Sequence, residues 1–173
     1  MGIKRVRISN DINNKPLNNE KALIALAKHH GLYEGKQIRV KKLAEQLGLR
    51  VIEKEMDSEV SGSLSKDNTG IWEISVNSKH HKNRKKYTIA HELGHYIKHK
   101  DCSDHFSDTT FFRNQSSGSM EYAANEFAAN LLMPEEEFKQ VLREYGDDIE
   151  TIADIFGVSV LAVKFRVSSL RKR

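Results

Sequence analysis

Apolar residues recur along this chain of 173 residues in two rhythms, and the switches between them mark its elements. From Glu20 to His30, Leu23, Ile24, Leu26 and Ala27 fall at helical spacing, and Gly31 stops the run. Val40 to Leu47 predicts a second, short helix closed by Gly48. Leu49 to Met56 reads as a strand. Val60 to Leu64 and Ile71 to Val76 read as a hairpin around Lys66-Asp67-Asn68-Thr69-Gly70, with Trp72, Ile74 and Val76 on one face. Helical spacing returns over about His80 to Lys100. Residues 101–118 form a polar, Ser/Asp-rich stretch that predicts a long loop. Ser119 is placed to cap a helix from Met120 to Leu132, and Pro134 follows its end. A further helix spans Glu135 to Glu144. Ile149, Ile152, Ala153, Ile155 and Phe156 begin a helical pair that turns at Gly157-Val158-Ser159 and runs from Val160 to Leu170. The order is helices, a small antiparallel sheet, then helices, which predicts an α+β fold. Residues 1–19, basic and then Asn-rich, read as a loosely ordered leading segment, 20–134 as the core, and 135–173 as a helical, helix-turn-helix-like subdomain.

Chemistry concentrates in the helix over 80–100, at His91-Glu92-Leu93-Gly94-His95. This is an H-E-x-x-H. Two histidines four apart lie one turn above each other, so both imidazoles can reach one metal ion. With His91 at 0° and about 100° per residue, His95 falls at about 40° and Glu92 at about 100°. Ile89, Ala90, Leu93, Tyr96 and Ile97 occupy roughly 140–260°, a separate apolar stripe. The helix therefore aims metal-binding chemistry one way and core the other, with Gly94 as its weak point. Glu92 is placed to touch water beside a metal without ligating it.

Composition narrows the setting. There are 28 Lys+Arg against 24 Asp+Glu, a formal charge of +4, which predicts an ordinary mildly basic protein. Cys102 is the single cysteine, which rules out an intramolecular disulfide and the sulfur-rich zinc sites. No apolar run reaches membrane-span length, and the charged start has no apolar segment behind it, so no membrane association and a cytoplasmic location are expected.

A catalytic zinc usually takes three protein ligands and leaves one position open. The downstream candidates for the third are His99, Asp101, Asp104, His105, Asp108, Glu121 and Glu126. Lys98 stands where a chain-turning glycine would be needed to bring Asp101 back to the metal. His99 lies about 6 Å further along the helix axis than His95, which suits a supporting or substrate-contacting role. On the 120–132 helix, Glu121 shares its side with Ala124, Asn125 and Ala128, small or polar residues that let the helix press close. Glu126 lies about 140° away. Glu121 is the choice on these angles. Read otherwise, it is a surface glutamate complementing the helix dipole.

Arg84-Lys85-Lys86-Tyr87-Thr88-Ile89-Ala90-His91-Glu92-Leu93-Gly94-His95, followed by Glu121-Tyr122-Ala123-Ala124-Asn125-Glu126-Phe127-Ala128-Ala129-Asn130-Leu131-Leu132-Met133-Pro134, resembles the ImmA/IrrE family of metallopeptidases. The clear match covers about residues 70–134, with Ser61-Gly62-Ser63 and the tail through Ser159 weaker. The resemblance implies a zincin fold, with the small sheet packed on the motif helix. It implies Zn²⁺ held by His91, His95 and Glu121, with Glu92 as catalytic base. It also implies a substrate class: a helix-turn-helix (XRE-type) repressor of a mobile element or stress regulon, cleaved or inactivated to relieve repression. The alternative is a non-proteolytic binding protein, or a toxin–antitoxin component, that sequesters the same repressor. Asn125, one turn from Glu121, is a candidate supporting residue beside His99.

Three features allow further readings. Lys79-His80-His81-Lys82-Asn83-Arg84-Lys85-Lys86 is a dense basic run, read as a solvated helix start, or alternatively as a DNA or acidic-partner contact. The tail reads as an αα-hairpin closing the core, or alternatively as a DNA reader or repressor dock. Were the Ile71–Val76 strand an edge, an extended substrate segment would be able to pair with it.

Overall fold

A computed structural model describes residues 18–109 and 118–172. Most of the expected leading segment, residues 1–17, lies outside them. Helix α1 (Glu20–His29) starts where the Asn19 side chain accepts from the Ala22 amide, and Gly31 follows it at φ 62°. A two-residue hairpin that periodicity did not predict comes next, β1 (Tyr33–Glu34) with β2 (Gln37–Ile38), turning at Gly35. Strands of two residues are too short to carry an alternating pattern. Helix α2 (Val40–Gln46) leads into β3 (Arg50–Lys54), β4 (Val60–Lys66) and β5 (Trp72–Asn77). The motif helix is α3 (Lys82–His99). Strand β6 (His105–Thr109) precedes α4 (Ser119–Leu132), α5 (Glu135–Tyr145), α6 (Ile149–Phe156) and α7 (Val160–Arg171).

The fold is α+β, as the order of elements predicts. The larger sheet runs β3-β5-β4-β6. Strand β4 is antiparallel to both neighbours, and β3 runs parallel to β5, so the sheet is mixed. Val51, Ile74, Leu64 and Phe106 stand in one row across the four strands. Val51, Ile74 and Leu64 are buried, in the same core cluster as Leu93 of α3. This row is part of the sheet's interface with the motif helix.

Three expectations are corrected here. The Ile71–Val76 strand is not an edge, because β5 lies between β3 and β4 with both its ladders filled. Residues 101–118 are not all loop: His105–Thr109 add a fourth strand, although only Phe106 among them is apolar. Backbone pairing with β4 makes this strand, and an apolar pattern cannot report that. Helix α4 is capped by Gly118, with Ser119 already helical, and no side chain bonds this end. The shift keeps Glu121 in the first turn.

The C-terminal helices complete the core. Ile152, Ala153, Phe156, Val158, Ala162 and Val163 are buried in the same cluster as Leu23, Leu43 and Phe127. Arg166 is fully buried, donates to the Met133 carbonyl at 3.0 Å and to Asn130 Oδ1, and so ties α7 to the end of α4. The basic run is largely engaged within the chain. Lys79 meets Glu55 at 2.6 Å, Lys85 meets Glu53 at 2.7 Å, and Arg84 donates to Ser61 Oγ. Lys86 donates to the Phe156 carbonyl at 2.8 Å, the site a cation favours at the end of α6. Among the described residues, no helix is long and apolar enough to cross a membrane.

Candidate metal centre

Helix α3 is buried on nearly all sides from Tyr87 to His95, which the expected two-faced helix did not anticipate. The sheet covers one side and α4 the other. The approach of α4 is close because both helices carry small residues where they cross. A Cβ placed on Gly94 would lie 3.2 Å from both Cα and the carbonyl oxygen of Ala124, and 3.1 Å from the Phe127 ring. Gly94 is therefore a contact residue rather than a weak point. On the sheet side, a Cβ at Gly62 would lie 2.5 Å from Thr88 Cγ2 and 3.4 Å from Glu92 Oε1. β4 can pass this close to the motif helix only with glycine there.

This packing brings together His91, His95 and Glu121. The Nε2 atoms of His91 and His95 are 3.1 Å apart. Glu121 Oε2 lies 3.3 Å from His91 Nε2, and Oε1 lies 3.2 Å from His95 Nε2. Both histidines and Glu92 are fully buried, whereas the Glu121 side chain keeps 37% exposure. In a tetrahedral site with bonds of about 2.0–2.1 Å, neighbouring donor atoms sit about 3.3–3.4 Å apart. The three donors thus have the spacing of one face of such a site.

The outer nitrogens support the same reading. His91 Nδ1 lies 3.0 Å from Asn125 Oδ1, an acceptor, so Nδ1 carries the proton and the Nε2 lone pair points inward. His95 Nδ1 lies 3.1 Å from His99 Nδ1, and with His95 donating, its Nε2 is likewise a lone pair. Two imidazole lone pairs and a carboxylate converging in a buried place repel one another unless a cation sits among them. Zinc fits this donor set in chemistry and in spacing. Burial pushes the Glu121 carboxyl up, but a proton on the inner nitrogen of either histidine, in place of a cation, would be shared with it, and that pairing holds Glu121 below the usual carboxylate range. Burial, then the neighbouring His95 and Lys98, lower His99.

Asn125 and His99 thus stand against the outer nitrogens of the two histidines. The Tyr87 hydroxyl, pushed up by burial and so protonated, donates to the Asn125 backbone carbonyl at 3.1 Å. Among the described residues, His91, His95 and Glu121 are the cluster of His, Cys, Asp and Glu groups within reach of one ion. The Asp108 side chain lies outside the described residues. Cys102 is exposed. One site residue escaped sequence reasoning. Phe106 of β6 stacks on the His95 imidazole, with centroids 4.7 Å apart and planes 15° from parallel. Its only sequence signal is that it is the one apolar residue between Cys102 and Thr110.

The chain is similar to known proteins at two levels, family and fold. The family model described as Peptidase_M78, IrrE N-terminal-like domain, matches residues 44–168. A solved structure, a Mycobacterium tuberculosis transcriptional regulator, is similar at a TM-score of 0.60 and 20% identity. The alignment covers 90% of this chain and 48% of that one, so the chain spans about half of that regulator's length. At this identity the likeness is one of fold. No curated protein matches the chain.

Proposed function

This chain belongs to the Peptidase_M78 family, the IrrE N-terminal-like domain, and from that premise we propose that it is a zinc-dependent endopeptidase that cleaves or inactivates a helix-turn-helix repressor. The observation that carries the reading is the convergence of His91 Nε2, His95 Nε2 and the Glu121 carboxylate at 3.1–3.3 Å, with Glu92 buried on the next position of the same helix. The repressor as substrate rests on the family resemblance. A structural neighbour that is a transcriptional regulator is in keeping with it.

His91, His95 and Glu121 would hold the metal. When bound, zinc supplies Lewis acidity at neutral pH, acidifying water and polarising a peptide carbonyl. Glu92 accepts the proton of the attacking water on a carboxylate oxygen and passes it to the leaving amine as the peptide bond breaks. Burial keeps that carboxylate from exchanging its proton with bulk solvent. Asn125 and His99 hold the two imidazoles in the tautomer that faces inward. Glu121, held ionised, brings the negative charge that a dication needs there.

The test is cleavage of the candidate repressor by wild type and by Glu92→Gln, with metal content measured on both. Fragments from wild type alone, at equal metal content, support the peptidase. Relief of repression by both proteins without fragments would instead mean a protein that binds and sequesters its partner. The intact Glu92 favours the first, since binding alone requires no proton carrier.

A further inference from the structure

We propose that Phe106 is a positioning residue of the candidate metal centre: its ring, stacked on the His95 imidazole, sets the plane in which that histidine presents Nε2 inward. This rests on the metal-site reading above. The torsion that turns an imidazole about its Cβ–Cγ bond has a broad preference, so a ligand histidine needs outside contacts to fix its plane. The two histidines of this site obtain them differently. His91 is held at Nδ1 by Asn125, which is buried and tied through its backbone carbonyl to the Tyr87 hydroxyl. His95 is held at Nδ1 by His99, a half-buried residue that is the last of α3. Helix ends fray, so this partner holds its ring less firmly than one anchored in the core.

Neighbouring rings supply the remaining constraint. His91 stands edge-on to His95 at 4.8 Å and 75°, His99 is tilted at 5.2 Å and 51°, and Phe106 lies face to face at 4.7 Å and 15°. Of the three, only Phe106 is close to parallel, at a separation typical of stacked rings. Turning His95 about its Cβ–Cγ bond therefore drives the imidazole edge into the Phe106 face. The same ring lies 6.4 Å from His99, so one apolar group flanks both members of the His95–His99 pair. The backbone fixes its place. Phe106 pairs with Leu64, which is fully buried in the same core cluster as Leu93 of α3. Its neighbours in β6, His105 and Ser107, are exposed, so the ring is what this stretch of strand brings to the centre.

Fixing a plane differs from filling space, and substitutions separate the two. Phe106→Leu and Phe106→Met keep apolar bulk without a flat face, Phe106→Tyr keeps the face, and Ser107→Ala alters the exposed side of the same strand. Zinc affinity is read by competition with a chromophoric chelator, and ligand geometry by the visible absorption of the cobalt(II)-loaded protein. A thermal melt of the metal-free protein reads folding, and Phe106→Met carries the comparison if Phe106→Leu does not fold. The aliphatic variants should bind zinc about ten- to a hundredfold more weakly and shift the cobalt bands. Phe106→Tyr and Ser107→Ala should match wild type in both. Wild-type affinity and bands in the aliphatic variants would overturn the proposal, as would an equal loss in Phe106→Tyr. Weaker binding with unchanged cobalt bands would also overturn it, since loosened packing lowers affinity without turning a ligand. These results arise only in a protein that takes up metal. A wild type that binds neither zinc nor cobalt would instead overturn the metal reading, and this proposal with it.

Discussion

Gly94→Ala tests how tightly the fold holds the candidate metal centre. The added methyl would sit 3.1 Å from the Phe127 ring and 3.2 Å from two backbone atoms of Ala124. Comfortable carbon contacts lie at about 3.5–4.0 Å, so it is short by about 0.3–0.9 Å. A phenyl ring can tilt away, but α4 backbone can only shift as a body. α4 carries Glu121 one turn before Ala124, and Asn125 next to it. Overpacking of this kind costs about 1–3 kcal/mol, and the gain in helix propensity on replacing glycine returns about 1 kcal/mol. The net is a loss of about 0–2 kcal/mol, a fall in melting temperature of about 0–8 °C at this chain length. The effect on the site is larger, because the spacings of 3.2 and 3.3 Å between Glu121 and the two histidines open with the helices. Zinc affinity should fall ten- to a hundredfold, about 1.4–2.7 kcal/mol. Competition with a chromophoric chelator measures the affinity, and a thermal melt of the metal-free protein measures the fold. A variant that melts several degrees higher and binds zinc as tightly as wild type would refute the reasoning, showing slack between α3 and α4.

Three further outcomes follow from the packing and the hydrogen bonds. Asn125→Ala removes the acceptor at 3.0 Å from His91 Nδ1 and should weaken zinc binding about ten- to a hundredfold, measured by the same competition; unchanged affinity would mean that Asn125 does not orient His91. Asn77→Ala empties a buried hub whose amide donates to the carbonyls of Met56, Asp57 and Val60, and should cost about 1–3 kcal/mol by denaturant titration, a loss below about 0.5 kcal/mol (the size of an ordinary surface change) sinking the idea. Asp67, held down to about 2 chiefly by the Thr69 hydroxyl and then by the Ile71 amide, has a folded pKa below its ordinary 3.8. It therefore contributes stability above about 3.8 that is lost as pH falls through about 2, and Asp67→Asn should flatten the fall of the urea midpoint between about pH 5 and 2. Equal acid slopes in the two proteins would count against it.

The parts of this fold that were legible in sequence are those carried by side-chain periodicity. α1, α3 and α4–α7 carry apolar stripes over about two to five turns, the strands at 60–66 and 72–77 alternate, and the strand at 50–54 is marked by its adjacent β-branched Val51 and Ile52. The metal cluster was legible because His91 and His95 are one turn apart on one helix, a local relation. Glu121 was not, since angles on its own helix left it balanced against a surface role. Only the resemblance raised it, and the distances to His91 and His95 arise from α3–α4 packing. β1–β2 and β6 were invisible because main-chain pairing makes them, and every residue type but proline can supply that. Phe106 shows the consequence. It touches His95, eleven residues away, through a strand whose own pattern is polar.

The two glycines at the site extend the point. Gly94 reads in sequence as a weak point of its helix, and Gly62 stands in a strand, where glycine's local propensity is also poor. Each instead stands where another backbone comes within van der Waals contact, Ala124 at one and Ser75 and the Thr88 side chain at the other. Local cost is accepted at both places because α4 and β4 must close on α3 from opposite sides to bring Glu121 to the histidines and the sheet to Glu92. The rigid part of the centre is thus built of close backbone approaches, whose tolerance is a few tenths of an ångström. β6 joins the centre differently, through the Phe106 ring on His95 and a main-chain ladder with β4. Substitutions where α3 meets α4 should therefore alter what the centre binds more than substitutions on the exposed face of β6.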